Sequence, residues 1–204
     1  MPMQATSIRA LRRLTVDGKA RQAPRSECEF CSEPLGEPHE HVLEVGTGGL
    51  ACSCTACALL FDRPGQERRR LPRDARALAD RLTDREWASL EIPVKLAMIT
   101  VHSNGVVSAG YPGPGGVARA VVAPEAWMAI SAAHAALQEM QADLECLVIN
   151  RMEAAEEMFV TPLDQAYRLA GLVRRHWQGL SGGPEVRRQV QGFCAPLRRR
   201  RADA

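Results

Sequence analysis

Five of the seven cysteines and two of the five histidines of this chain fall between Cys28 and Cys57. They run as Cys28-Glu29-Phe30-Cys31, His39-Glu40-His41 and Cys52-Ser53-Cys54-Thr55-Ala56-Cys57. Two Cys-x-x-Cys knuckles, separated by a gap that holds one short hairpin, are the ligand arrangement of a structural zinc ribbon or a rubredoxin-like iron site. The intervening residues supply the hairpin. Pro34, Gly36 and Pro38 break regular structure after the first knuckle, Val42, Leu43 and Val45 read as a short strand, Gly46-Thr47-Gly48-Gly49 as the turn, and Leu50 to Cys54 as the returning strand. A module over 27–61 has almost no apolar core of its own. Bound metal is therefore expected to supply most of its folding free energy, on the order of 10 kcal/mol for structural zinc in small fingers.

Seven candidates exceed the four ligands of a tetrahedral ion. A Cys-x-x-Cys turn puts both sulfurs on one metal, which selects Cys28, Cys31, Cys54 and Cys57. Cys52, His39 and His41 remain as alternative or outer ligands. Residues two apart on a strand share a face, so extended pairs would set Cys52 beside Cys54 and His39 beside His41. Three arrangements follow: one zinc with these three in support, two metals, or an iron-sulfur cluster held by thiolates. No bound water or general base is identified beside the cluster, although Glu40 and Glu44 are near, so no catalytic residue is assigned.

The 204 residues, 46% hydrophobic and 25% charged, describe an ordinary globular chain. With 26 basic and 24 acidic residues the formal charge is +2, so no global field recruits nucleic acid or an anionic membrane. The amino terminus lacks a basic start followed by an apolar run, and no stretch has the length of a spanning helix. The expected compartment is the cytoplasm, where thiols stay reduced and clustered cysteines serve as ligands rather than disulfides.

Residues 1–26 read as a flexible basic tail, with Ile8, Leu11 and Leu14 as a short apolar pattern. Leu59-Leu60-Phe61 is expected to cap the module's apolar side. Over 62–91 a basic linker leads into a helix, with Leu71, Ala75, Leu78 and Leu82 at helical spacing. The arginines from Arg63 to Arg76 sit beside a zinc-ribbon pattern, which raises nucleic-acid binding. Interspersed acids and only 4% aromatic residues argue against it.

Residues 92–204 read as an α+β domain, an antiparallel sheet packed with helices. Strands are expected over Val94 to Val101, Val106 to Ala109, Val117 to Val122, Leu144 to Asn150 and Met158 to Val160, with Tyr111 to Gly116 as a loop. A helix begins at Pro124, its inward face marked by Trp127, Ile130, His134 and Leu137. The acidic turn from Glu153 to Glu157 reads as solvated. Thr161-Pro162-Leu163-Asp164 places a capping hydroxyl before a helix that ends at Gly179. Gly182-Gly183-Pro184 turns into a last helix buried through Val186, Val190, Phe193 and Leu197. Cys146 and Cys194 fall on apolar faces and read as core residues.

Cys28–Cys31, His39–His41, Cys52–Phe61, Trp87–Val94, Leu147–Arg151, Pro162–Leu169 and Trp177–Gly183 together resemble a family of uncharacterised bacterial proteins often encoded among actinobacterial-type nickel-iron uptake hydrogenase genes. The resemblance implies an association with hydrogenase assembly or electron transfer. The leading expectation is a non-catalytic, zinc-binding accessory protein whose partner is a protein, such as a hydrogenase subunit or maturation factor. An iron-binding electron carrier and a zinc-ribbon nucleic-acid-binding regulator are the alternatives.

Overall fold

A computed structural model describes residues 27–152 and 156–199. The tail expected over 1–26, the start of the acidic turn at Glu153, and Arg200 and Arg201 lie outside the described residues. The first regular element is the hairpin. Strand β1 (Glu40–Glu44) pairs antiparallel with β2 (Gly49–Ser53), with His41 opposite Cys52 and Val42 opposite Ala51. Gly48 closes the turn at φ +71°, a backbone conformation open to glycine at no steric cost. A short helix α1 (Thr55–Ala58) and a 3₁₀ turn over Leu59–Phe61 follow. The chain then returns as β3 (Arg68–Arg70) on the far side of β1, in the order β2-β1-β3.

The second sheet has six strands, β4 (Arg76–Ala77), β5 (Leu96–Val101), β6 (Val107–Gly113), β7 (Gly116–Val121), β8 (Glu145–Asn150) and β9 (Glu157–Pro162). Their order is β4-β9-β8-β5-β6-β7, and every pairing is antiparallel. Helix α2 (Asp84–Ser89) starts at a capping box between Thr83 and Glu86. Helices α3 (Pro124–Ala133) and α4 (Ala135–Gln138) precede β8, while α5 (Leu163–His176) and α6 (Gly183–Arg199) complete the chain.

The two-residue period of the central strands builds a core on each face of this sheet. Leu96, Met98, Cys146, Val148 and Phe159 point to the face covered by α5 and α6, where Leu169, Val173, Val190 and Cys194 meet them. Ala97, Ile99, Leu147, Ile149, Met158 and Val160 point to the other face, against Trp127, Ile130 and Leu137. Leu43 of the hairpin joins the first core, with Val45 and Leu50 packed beside it. The cysteine-rich module is thus supported by apolar contacts with the larger sheet and α5, beyond the near-absent core expected from its own residues.

Several local expectations are corrected. Leu71, Ala75, Leu78 and Leu82 are buried but not helical. Pro72 interrupts them, and their flanks are claimed by pairing: the Leu71 N–H donates to the His41 carbonyl at 3.0 Å and the Leu78 N–H to Met158 at 2.9 Å. Tyr111 to Gly113 extend β6, leaving a tight connection to β7 where a loop over Tyr111 to Gly116 was expected. Thr161 does not cap α5; it pairs with Cys146 inside β9 and its hydroxyl donates to the Cys146 carbonyl at 3.4 Å. Helix α5 stops at His176, ahead of Gly179. Leu59 and Leu60 are 55% and 69% exposed, so of the three residues expected to cap the module only Phe61 packs inward, its ring 4.9 Å from that of Phe30.

Candidate metal centre

Cys28 and Cys31 stand on a turn that the backbone closes tightly. The Ser32 N–H donates to the Cys28 carbonyl at 2.8 Å, and the Cys28 N–H to the Glu33 carbonyl at 2.8 Å. Cys54 occupies the cap of α1, where its sulfur accepts the Cys57 N–H at 3.4 Å. The two knuckles are pinned across the hairpin by Glu29, whose N–H donates to the Cys52 carbonyl at 2.9 Å while its carboxylate accepts the Cys52 N–H at 2.7 Å.

These contacts gather Cys28, Cys31, Cys54 and Cys57, whose sulfurs all lie within 4.8 Å of one another. Cys31 Sγ and Cys54 Sγ are 3.8 Å apart. Sulfurs bound at about 2.3 Å to one tetrahedral ion are separated by about 3.8 Å, whereas a disulfide would bring two of them to about 2.05 Å. The residues present therefore fit a tetrahedral metal. Burial raises the Cys28 thiol, but backbone N–H groups of Cys54, Phe30 and Cys31 outweigh it and bring it down to about 6. Hydrogen bonding with the Cys31 and Cys54 thiols, and then burial, pushes Cys57 up to about 12. Binding of a divalent cation requires thiolate ligands and so releases protons from such a set.

The other three candidates form a set of their own. His39, His41 and Cys52 offer ligand atoms within 4.8 Å of one another. His41 and Cys52 are cross-strand partners and so share a face of the hairpin, and the His39 and His41 ring centroids are 4.8 Å apart. Cys52 and Cys54 fall in different ligand sets, Cys54 with the four cysteines and Cys52 with the histidines.

Four of the six arginines from Arg63 to Arg76 are engaged by acidic residues of the fold. Glu40, with its side chain 1% exposed, receives Arg70 through bonds of 3.1 and 3.2 Å and is also paired with Arg73. Burial works to raise the Glu40 carboxyl, but these guanidiniums hold it below the usual carboxylate range. Arg76 forms the equivalent fork on buried Glu145 at 2.7 and 3.3 Å, and Arg68 reaches Glu44 at 3.4 Å. His134 is buried at the break between α3 and α4, 3.3 Å from Glu86, apart from both ligand sets. Gly182, at φ +90°, ends the connection from α5, and Gly183, at φ +76°, is the first residue of α6.

Sequence reasoning missed one constellation. A cleft of about 510 Å³ between the hairpin turn and the large sheet contains His102, Ser108 and Asp143. His102 Nδ1 lies 3.2 Å from Asp143 Oδ1, and Nε2 lies 2.9 Å from Ser108 Oγ. Ser108 sits inside β6 with Thr100 and Val121 as its register partners, without the exposed strand-to-helix turn that presents a nucleophile and its oxyanion donors. Asp143 also accepts the Ser103 N–H at 3.1 Å, so the chain braces the β5–β6 turn against the start of β8.

A family model matches residues 27–201, described as a family of unknown function (DUF5947). No curated protein and no solved structure matches the chain. Among the described residues no helix is long and apolar enough to cross a membrane.

Proposed function

We propose, for a chain that belongs to the family of unknown function DUF5947, that the protein is a non-catalytic, metal-binding accessory protein whose zinc is held by Cys28, Cys31, Cys54 and Cys57. The observation that carries this reading is the convergence of four sulfurs from two knuckles, with Cys31 and Cys54 at the separation of a tetrahedral thiolate site. Four protein ligands leave no open coordination position, which favours a structural ion over a catalytic one. Such an ion fixes the knuckles and the exposed Leu59 and Leu60 that follow them, an apolar pair suited to contact with a protein. The partner implied by the resemblance is a hydrogenase subunit or maturation factor in the cytoplasm. The engagement of Arg70, Arg73 and Arg76 with Glu40 and Glu145 leaves the nucleic-acid reading without much of its charge run.

An iron-binding electron carrier is the second reading. It is favoured by the exposure of Cys31, which places one sulfur of the set at the surface where electrons could be exchanged. Elemental analysis with a visible spectrum, on protein purified without oxygen, separates the two. Zinc in a colourless protein supports the accessory reading. Iron with a reducible thiolate absorption overturns it in favour of electron transfer.

A further inference from the structure

We propose that His39, His41 and Cys52 form a second, open metal site that binds a zinc-class divalent ion separately from the four-cysteine set. The argument begins with the imidazole nitrogens. His39 Nδ1 lies 3.2 Å from the Gly36 carbonyl oxygen, which leaves Nε2 as the free nitrogen. That Nε2 is buried and has no hydrogen-bond partner, although the side chain is only 9% exposed. A buried polar atom left in this state is costly, and a metal bond removes the cost.

His41 repeats the pattern with a stronger partner. Its Nδ1 lies 3.0 Å from Asp164 Oδ2 on the first turn of α5, so Nε2 is again the nitrogen left to bind. A ligating histidine ordinarily gives its other ring N–H to a carboxylate or a backbone carbonyl, which fixes tautomer and ring orientation and strengthens the donor. Here one histidine has the carbonyl and the other the carboxylate. Cys52 supplies the third donor from directly across the hairpin, and all three ligand atoms lie within the 4.8 Å that one ion can span.

Three protein ligands leave a fourth position. That position is left to water or a small anion, which places the site in the open class. Two imidazoles and one thiolate are borderline-soft donors, which select zinc or a neighbouring late first-row ion over magnesium or calcium. This site stands independently of the four-cysteine reading, since it shares no ligand with it.

Cobalt(II) titration of metal-free, reduced full-length protein tests the proposal through thiolate charge-transfer absorption and bound equivalents. The wild type is expected to take up two equivalents. His41→Gln and Cys52→Ser are each expected to take up one, retaining the intense four-thiolate spectrum. Cys54→Ser is expected to retain one equivalent with the weaker single-thiolate band, and azide is expected to perturb only that band. A wild type that saturates at one equivalent overturns the second site, as do His41→Gln and Cys52→Ser proteins that both still bind two. Loss of both equivalents in both variants would make the seven residues one shared centre and also overturn it. If Cys54→Ser leaves the intense spectrum unchanged, the four-cysteine assignment fails while the second site stands.

Discussion

Asp164 Oδ2 lies 3.0 Å from His41 Nδ1, so the first turn of α5 grips β1 of the cysteine-rich hairpin module. The contact is one of several between module and domain: the Tyr167 hydroxyl donates to the Gly48 carbonyl at 3.4 Å, and Leu43 is buried in the α5–α6 core. Asp164→Ala should therefore act at a distance from the cysteines. We expect a 10–100-fold weaker affinity at the His39–His41–Cys52 set, with the four-cysteine metal retained. Isothermal titration against Cys54→Ser as background reads the difference.

Cys31→Ser and Cys54→Ser should each lose one equivalent of metal and lower the thermal midpoint, whereas His134→Ala should leave metal content unchanged. His134 is buried against α2 and belongs to neither ligand set. Equal metal loss in all three variants would contradict the assignment. Metal analysis after gel filtration provides the comparison.

Glu40→Gln should destabilise the protein by about 1–3 kcal/mol, because Arg70 loses its closest carboxylate and keeps only Asp62 at 3.6 Å, while half-exposed Arg73 is screened by solvent. The double substitution Glu40→Met with Arg70→Leu should recover much of this loss, since it removes the buried carboxylate together with its less exposed partner and leaves only half-exposed Arg73. Urea unfolding of the two variants reads both values. Arg73→Ala should cost less, as its side chain is 54% exposed.

Glu157 gives a stability that depends on acid. Arg198 holds its carboxyl below the usual carboxylate range, with burial opposing and Asn150 assisting. A lowered value in the folded state means that the stabilisation is complete above the ordinary carboxylate pKa of about 4.3 and is lost as pH falls through the lowered value. Glu157→Gln should therefore cost about 1–2 kcal/mol at neutral pH and progressively less below about pH 4. Denaturant unfolding of both proteins across that window checks the sign. A gap that widens in acid would contradict it.

Periodicity revealed most of the large sheet and the three long helices. Met98, Ile99, Leu147 and Val148 alternate between two cores, and Leu163, Ala166 and Val173 recur on one helical face, so each pattern reports its own element. The spacing of Leu71, Ala75, Leu78 and Leu82 misled because it arises from two different partners. Leu71 and Ala75 join the α5–α6 core and Leu78 and Leu82 the opposite one, and four buried residues split between two faces can mimic a helical stripe.

At the site, the Cys-x-x-Cys spacing was enough to select the four sulfurs that the fold brings together. The division of Cys52 and Cys54 between two ligand sets was not legible, since it depends on which cross-strand and loop residues each one meets. Nor were the Asp164 carboxylate and the Gly36 carbonyl that orient the histidines. Asp164 arrives from a distant helix, and the Gly36 contact depends on a loop conformation. The His102–Ser108–Asp143 chain was hidden for the same reason, as Asp143 meets His102 only through the pairing of β5 with β8.

The central claim is that Cys28, Cys31, Cys54 and Cys57 share one ion. Residue-resolved alkylation of the native, metal-loaded protein, followed by mass spectrometry before and after chelation, tests it most directly. We predict that these four thiols are protected together and become reactive together when one tightly held equivalent of metal is removed. Cys52 should follow a separate, more easily released equivalent. Rapid alkylation of Cys31 and Cys54 in the metal-loaded protein, or protection that does not change on chelation, would contradict the account.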